Sequence, residues 1–141
     1  MFSATSEYAL RALSQLARLP RGTSMLGRDL SEATGVPGKY LSKVMLSLRN
    51  AGLVGAIRGS GGGYRLMRTP EAIRLLEVVE LFEGRTVRPE CILGRGGCSD
   101  VTACAAHAAW REVSISYLKF LQTTTLADIS HLTAARVARA T

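Results

Sequence analysis

Three cysteines and one histidine carry the strongest chemical signal in this 141-residue chain. Cys91, Cys98, Cys104 and His107 form the pattern C-x6-C-x5-C-x2-H, and the sequence holds no other cysteine. Thiolate sulfur and imidazole nitrogen are the donors that bind zinc and iron–sulfur clusters. Cys104 and His107 lie three apart at the expected start of a helix, so both side chains can address one point. The positive end of the helix dipole favours a thiolate there. Gly94, Gly96 and Gly97 allow the intervening loop to fold back over that point. The residues thus read as a four-ligand metal centre, and spacing alone leaves zinc and a [2Fe–2S] cluster equally open. A closed zinc site mostly holds structure, whereas a cluster with one non-cysteine ligand has a labile position and can sense. Three cysteines make no disulfide framework, which points to a reducing compartment.

The second signal is charge. The net charge is +7, and all of it lies in residues 1–68, where ten Lys and Arg face three Asp and Glu. Residues 69–141 carry eight of each sign. A basic half implies a polyanion partner, nucleic acid ahead of an anionic membrane. No stretch approaches the roughly 18 uncharged apolar residues of a membrane span. No signal-peptide core is present either, so a cytoplasmic protein with no membrane partner is expected. No general base or substrate pocket can be named, so an enzyme built on a reactive thiol is disfavoured and no catalytic residue is expected.

The elements that must position these groups follow from periodicity. Apolar residues at Ala9, Leu10, Leu13, Leu16 and Ala17 predict an amphipathic helix over 6–19, stopped by Pro20 and Gly22. A shorter helix is expected over 25–34 with Leu26, Leu30 and Ala33 inward, closed by Gly35. Pro37 suits the first turn of a third helix, which runs to about Ala51 with Leu41, Val44, Met45 and Leu48 for the core. Two helices around Gly35-Val36-Pro37 have helix-turn-helix spacing. Two short extended runs, 53–58 and 64–67, flank Gly59-Ser60-Gly61-Gly62-Gly63 and read as a hairpin with an open tip. Helix, turn, helix, hairpin is the winged-helix order. Thr69-Pro70 then predicts a helix running to Glu83, and residues 85–100 read as loop. A long helix is expected from Asp100 to about Leu121, striped by Trp110, Val113, Tyr117 and Phe120. A last short one opens at Thr125, with Asp128 as its capping partner. The expected fold is mostly α with a small β-hairpin. It divides into a winged helix-turn-helix DNA-binding domain at 1–68 and a cluster-binding loop with dimerisation helices at 69–141. The broad apolar face of the long helix calls for a second copy, making a homodimer.

In such a head the start of the second reading helix enters the major groove. Lys39 and Lys43 share one face there and can reach phosphates or guanine edges, and Ser42 can donate or accept at a base. Tyr40 can stack, touch a phosphate or pack into the core. Arg28 offers a phosphate contact. At the hairpin tip, Ser60 and Gly61 let the backbone approach a phosphate or groove wall. Arg58 and Arg65 flank the tip, and Arg58 is the expected wing contact, since arginine suits the narrow minor groove. The glycines do not form a P-loop, because Tyr64-Arg65 stands where Lys-Ser/Thr is required.

Taken together, "SEYALRAL", "GVPGKYLSKVMLSLRNAGLV", the wing "RGSGGGYRL" and "CILGRGGCSDVTACAAHAAW" resemble the Rrf-type winged-helix transcription regulators, in particular their iron–sulfur branch (IscR/NsrR-like). The resemblance implies a homodimer on a roughly palindromic double-stranded operator, with one [2Fe–2S] cluster per subunit reporting redox, nitric oxide or iron–sulfur status. Its ligands would be Cys91, Cys98, Cys104 and His107. In NsrR-like members an acidic residue of the first helix, from the other subunit, is a ligand instead, and that position matches Glu7. Two features depart from the IscR pattern. The first cysteine gap is one residue longer, and Ser42 replaces an acidic specificity residue, so a different operator is expected. Some family members carry no cluster and act through a partner enzyme, so a zinc-stabilised or cluster-free interaction module is the alternative.

Overall fold

The structure is a computed structural model that describes residues 2–84, 91, 93, 101 and 103–130. Cys98 and Asp100 lie outside the described residues, as does nearly all of the expected loop.

Helix α1 (Ala4–Ala17) begins where the Ser3 hydroxyl accepts the Ser6 N–H at 3.2 Å. It buries Ala9, Ala12, Leu13 and Leu16 on one face. Helix α2 (Gly27–Thr34) ends on Gly35, whose φ of 71° is the left-handed conformation a helix terminator needs. Helix α3 (Gly38–Asn50) follows the turn and buries Leu41, Val44, Met45 and Leu48, the four expected residues. In α2 only Leu30 is buried, whereas Leu26 and Ala33 face solvent. Leu26 precedes the helix with extended backbone, so it does not join the apolar stripe that the period implied.

Strands β1 (Val54–Ile57) and β2 (Gly63–Leu66) pair antiparallel, Val54 opposite Leu66 and Ile57 opposite Gly63. Met25 adds a further rung to this hairpin. Its N–H donates to the Tyr64 carbonyl at 2.9 Å and its carbonyl accepts from the Tyr64 N–H at 2.7 Å.

The expected helix from Pro70 to Glu83 is broken. Pro70–Ala72 form a single 3-10 turn, Ile73 and Arg74 are extended, and helix α4 occupies Leu75–Glu83. The break has a tertiary cause: the Leu75 N–H donates to the Thr124 carbonyl at 3.0 Å, and the Leu126 N–H donates to Ile73 at 2.8 Å. Arg74 and Thr125 thereby bridge two distant segments, and this pairing overrides local helix propensity. Helix α5 runs His107–Thr123, starting later than the expected Asp100. Helix α6 (Leu126–Ser130) opens as expected: the Thr125 N–H donates to the Asp128 carboxylate at 2.8 Å, and the Asp128 N–H reaches back to the Thr125 hydroxyl at 3.4 Å.

One apolar cluster joins Leu13, Leu30, Met45, Leu48 and Leu53 with Ile73, Val78 and Leu126. Each such fully buried side chain contributes roughly 1.5–3 kcal/mol relative to exposure. A second cluster joins Leu75 and Val79 of α4 to Leu121 of α5. Leu121 is the buried residue of α5, while Val113, Ile115 and Phe120 remain about half exposed. Among the described residues no helix is long and apolar enough to cross a membrane.

Candidate nucleic-acid interface and metal centre

The first turns of α3 present Lys39, Ser42 and Lys43 to solvent, opposite the buried face of the same helix. The Ser42 hydroxyl donates to the Gly38 carbonyl at 3.0 Å, which leaves its lone pairs outward as acceptors. Tyr40, 45% exposed, leans back on α1. Its ring centroid lies 6.2 Å from that of Tyr8, and the Lys39 ammonium sits 5.0 Å above it. Of the roles open to Tyr40, packing is the one this geometry supplies, and the cation over its face holds the Lys39 head near the helix start. Arg28 is 84% exposed beside Asp29 at 3.9 Å, a pairing too solvated to restrain it. Gly27, Arg28, Ser31, Gly38, Leu41, Ser42 and Tyr64 line a cavity of about 420 Å³ between α2 and α3.

At the hairpin, Arg58, Ser60 and Gly61 are exposed at the tip. Arg65 is not with them: it is half-buried and lines a cavity of about 550 Å³ with Arg21 and Arg68. Gly62 and Gly63 are a steric requirement. A Cβ on Gly62 would stand 2.3 Å from the Ile57 carbonyl oxygen, and one on Gly63 2.2 Å from that of Met25. Sequence reading missed the brace beneath this tip. The Ser24 hydroxyl donates to the Gly61 carbonyl at 2.8 Å, one residue ahead of the Met25 rung. No alternating pattern marks Ser24-Met25 as a strand; the pairing is visible only in three dimensions.

In the cysteine segment, Cys91, Cys104 and His107 are half-buried. His107 is the first residue of α5 and its N–H donates to the Cys104 carbonyl at 3.0 Å. These two expected ligands are thus joined by one turn at the positive end of a seventeen-residue helix. By donor type, a sulfur and an imidazole suit either zinc or an iron–sulfur cluster. Among the described residues no group of three or more donors gathers, and Cys98 falls outside them. Glu7 is exposed on the first turns of α1.

Close to Glu7, the chain has a clasp that the sequence did not announce. One oxygen of the Glu83 carboxylate, at the end of α4, accepts the Ser3 N–H and the buried Ser6 hydroxyl, both at 2.7 Å. Hydrogen bonding from Ser3, then Ser6, holds its carboxyl below the usual glutamate range. Phe2 meets Tyr117 of α5 at a centroid distance of 6.0 Å. Burial, and then the Glu83 charge, pushes the Tyr117 phenol up. The start of α1 therefore joins the end of α4, next to Gly84, and the middle of α5.

A helix-turn-helix with a braced wing and a basic outer face defines a DNA-binding transcription regulator of the winged-helix class, not an enzyme. The profile of the Rrf2 family, described as iron-dependent transcriptional regulators, matches residues 2–132. The chain belongs to the Rrf2 family. It is 34% identical over 122 residues to the HTH-type transcriptional regulator IscR of Vibrio cholerae, a match spanning 86% of this chain and 70% of that protein. Its fold is similar to that of CymR (YrzC), the global cysteine regulator of B. subtilis, with a TM-score of 0.80 and 26% identity over 94% of this chain and 98% of that one. It is similar also to T. potens IscR, with a TM-score of 0.70 and 26% identity over 92% and 85% of the two chains.

Proposed function

We propose that this regulator is a homodimer whose operator affinity responds to a [2Fe–2S] cluster held by Cys91, Cys98, Cys104 and His107. In this reading residues 1–68 read DNA, with Arg28, Lys39, Tyr40, Ser42, Lys43, Arg58, Ser60, Gly61 and Arg65 at or beside the duplex, and residues 69–141 sense and dimerise. The observation that carries it is the one-turn placement of Cys104 and His107 at the start of α5. Val113 and Phe120, seven residues apart on that helix and about half exposed, share one face and supply it for a second copy. The cluster, when bound, supplies a redox- and nitric oxide-sensitive group at that point. The chain's own part is to hold that group at the start of α5 and, through Gly84 and Glu83, to set how α4 meets α1. DNA affinity shifts only by the difference between the two states in affinity for that group. Glu7 of the partner subunit is the alternative fourth ligand.

The test is anaerobic purification with iron, sulfide and absorption measurements, followed by operator binding of loaded and stripped protein at one salt concentration. Cys98→Ala should remove the absorbance, and His107→Ala compared with Glu7→Ala decides the fourth ligand. Loss of iron and sulfide with unaltered operator binding would sink the sensor. The likeness to the B. subtilis cysteine regulator favours one second reading. In it the cysteine segment is cluster-free or closed on zinc, and regulation runs through a protein partner. A colourless protein with unchanged DNA binding is the result that selects it.

A further inference from the structure

The outer face of α3 holds an anomaly. With Leu41, Val44, Met45 and Leu48 turned into the core, the opposite stripe is Lys39, Ser42, Lys43, Leu46 and Asn50. All five are exposed. Four are polar, as a solvated or DNA-facing surface requires. Leu46 is not: it is 56% exposed and, among the described residues, belongs to neither apolar cluster.

Its position is set by its neighbours. At a rise of about 1.5 Å per residue, Leu46 stands about 4.5 Å beyond Lys43 and about 10 Å beyond Lys39 along the helix axis. A helix lying in the major groove with both lysines on phosphates or guanine edges therefore brings Leu46 to a base pair one or two steps further on. The major-groove edges of the bases present hydrogen-bonding groups and one apolar group, the thymine C5-methyl. A leucine offers nothing to the first kind and a complementary surface to the second.

We propose that Leu46 is a specificity-determining residue that packs against a thymine methyl group in the major groove. The inference rests on α3 being the helix that enters the groove. Leu46 acts by burying one methyl against its side chain, so it favours thymine over any base without that methyl, uracil included.

The experiment uses the full chain and the tightest duplex that the wild-type protein selects from a random-sequence pool. Each thymine is replaced in turn by deoxyuridine, which removes the methyl and keeps every hydrogen-bonding group. At one thymine per half-site the wild type should lose about fourfold in affinity, the worth of one buried methyl. Leu46→Ala should bind the thymine and uracil duplexes equally, and Leu46→Met should keep part of the preference. The thymine-to-uracil ratio is internal to each variant, so the fraction of folded protein does not enter it. A wild type indifferent to uracil at every position, or a Leu46→Ala variant that keeps the wild-type loss, overturns the assignment. Lys43→Ala separates the two levels. If it leaves binding intact, α3 is not the groove helix and both readings fall; if it weakens binding while uracil is tolerated everywhere, only the role of Leu46 falls.

Discussion

The Ser24 hydroxyl donates to the Gly61 carbonyl across 2.8 Å and so ties the tip of the wing to the segment that leads into α2. Together with the Met25–Tyr64 rung, this bond fixes the wing against the segment ahead of α2. Ser24→Ala should leave the fold intact, since the bond is solvent-accessible and its net worth is about 0.5–1.5 kcal/mol. It should nonetheless weaken operator binding through Arg58. In a double-mutant cycle, the effect of Ser24→Ala should shrink when Arg58 is already alanine. Additive effects would show that Ser24 acts elsewhere.

Arg58→Ala should weaken binding to all duplexes alike and flatten the dependence of log K on log salt by roughly 0.9 if one phosphate contact is lost. Titrations at several salt concentrations read the slope directly. An unchanged slope and affinity would remove Arg58 from the interface.

Gly63 has a φ of 134° and faces the Met25 carbonyl so closely that a Cβ cannot fit without displacing backbone. Gly63→Ala should cost about 1–3 kcal/mol in urea unfolding. Gly59, where a Cβ would meet nothing within 4 Å, is the comparison, although its φ of 95° makes it strained as well. Alanine should be tolerated better there than at Gly63.

Leu121→Ala should cost about 2–5 kcal/mol, the range for truncating a buried leucine. Leu121 is what seats α5 on Leu75 and Val79 of α4. If α5 carries the proposed dimer contact, loss of its seat should also shift the protein towards monomer in sedimentation. Truncating the exposed Val113 should spare subunit stability.

The Glu83 clasp is sensitive to acid. Its carboxyl titrates below the ordinary glutamate value in the folded chain and at that value in the unfolded one. The stabilisation is therefore complete above the ordinary range and disappears as pH falls through it towards the folded value. Glu83→Gln should lower the urea midpoint at neutral pH, and the gap to wild type should close on acidification. A gap that is constant with pH would mean that the charge plays no part.

Much of the reading head was legible in the sequence because its signals are local. Gly35 and Pro37 punctuate α2 and α3, the core positions of α3 follow the helical period, and the glycine run marks the wing. The capping pair Thr125 and Asp128 was equally plain. What escaped depends on pairing between distant residues. The Ile73–Arg74 break needs Thr124 to Leu126 as partners, and the Met25 rung needs Tyr64. Ala33 was misplaced because two helical turns give too short a period to fix a face. In the cysteine segment, residue type and spacing point to the candidate donors, of which Cys104 and His107 stand one turn apart. Whether four donors meet is a long-range question, for which sequence spacing offers no local rule.

Leu126, fifth from the end of the described segment, fills the same apolar interior as Leu13 and Met45. The head therefore cannot be transplanted by cutting at residue 68. A chimera that borrows only the winged half would open a hole where Ile73, Val78 and Leu126 belong, and would have to carry α6 or a graft that imitates it. In this architecture the segment beyond the wing also keeps the reader solid.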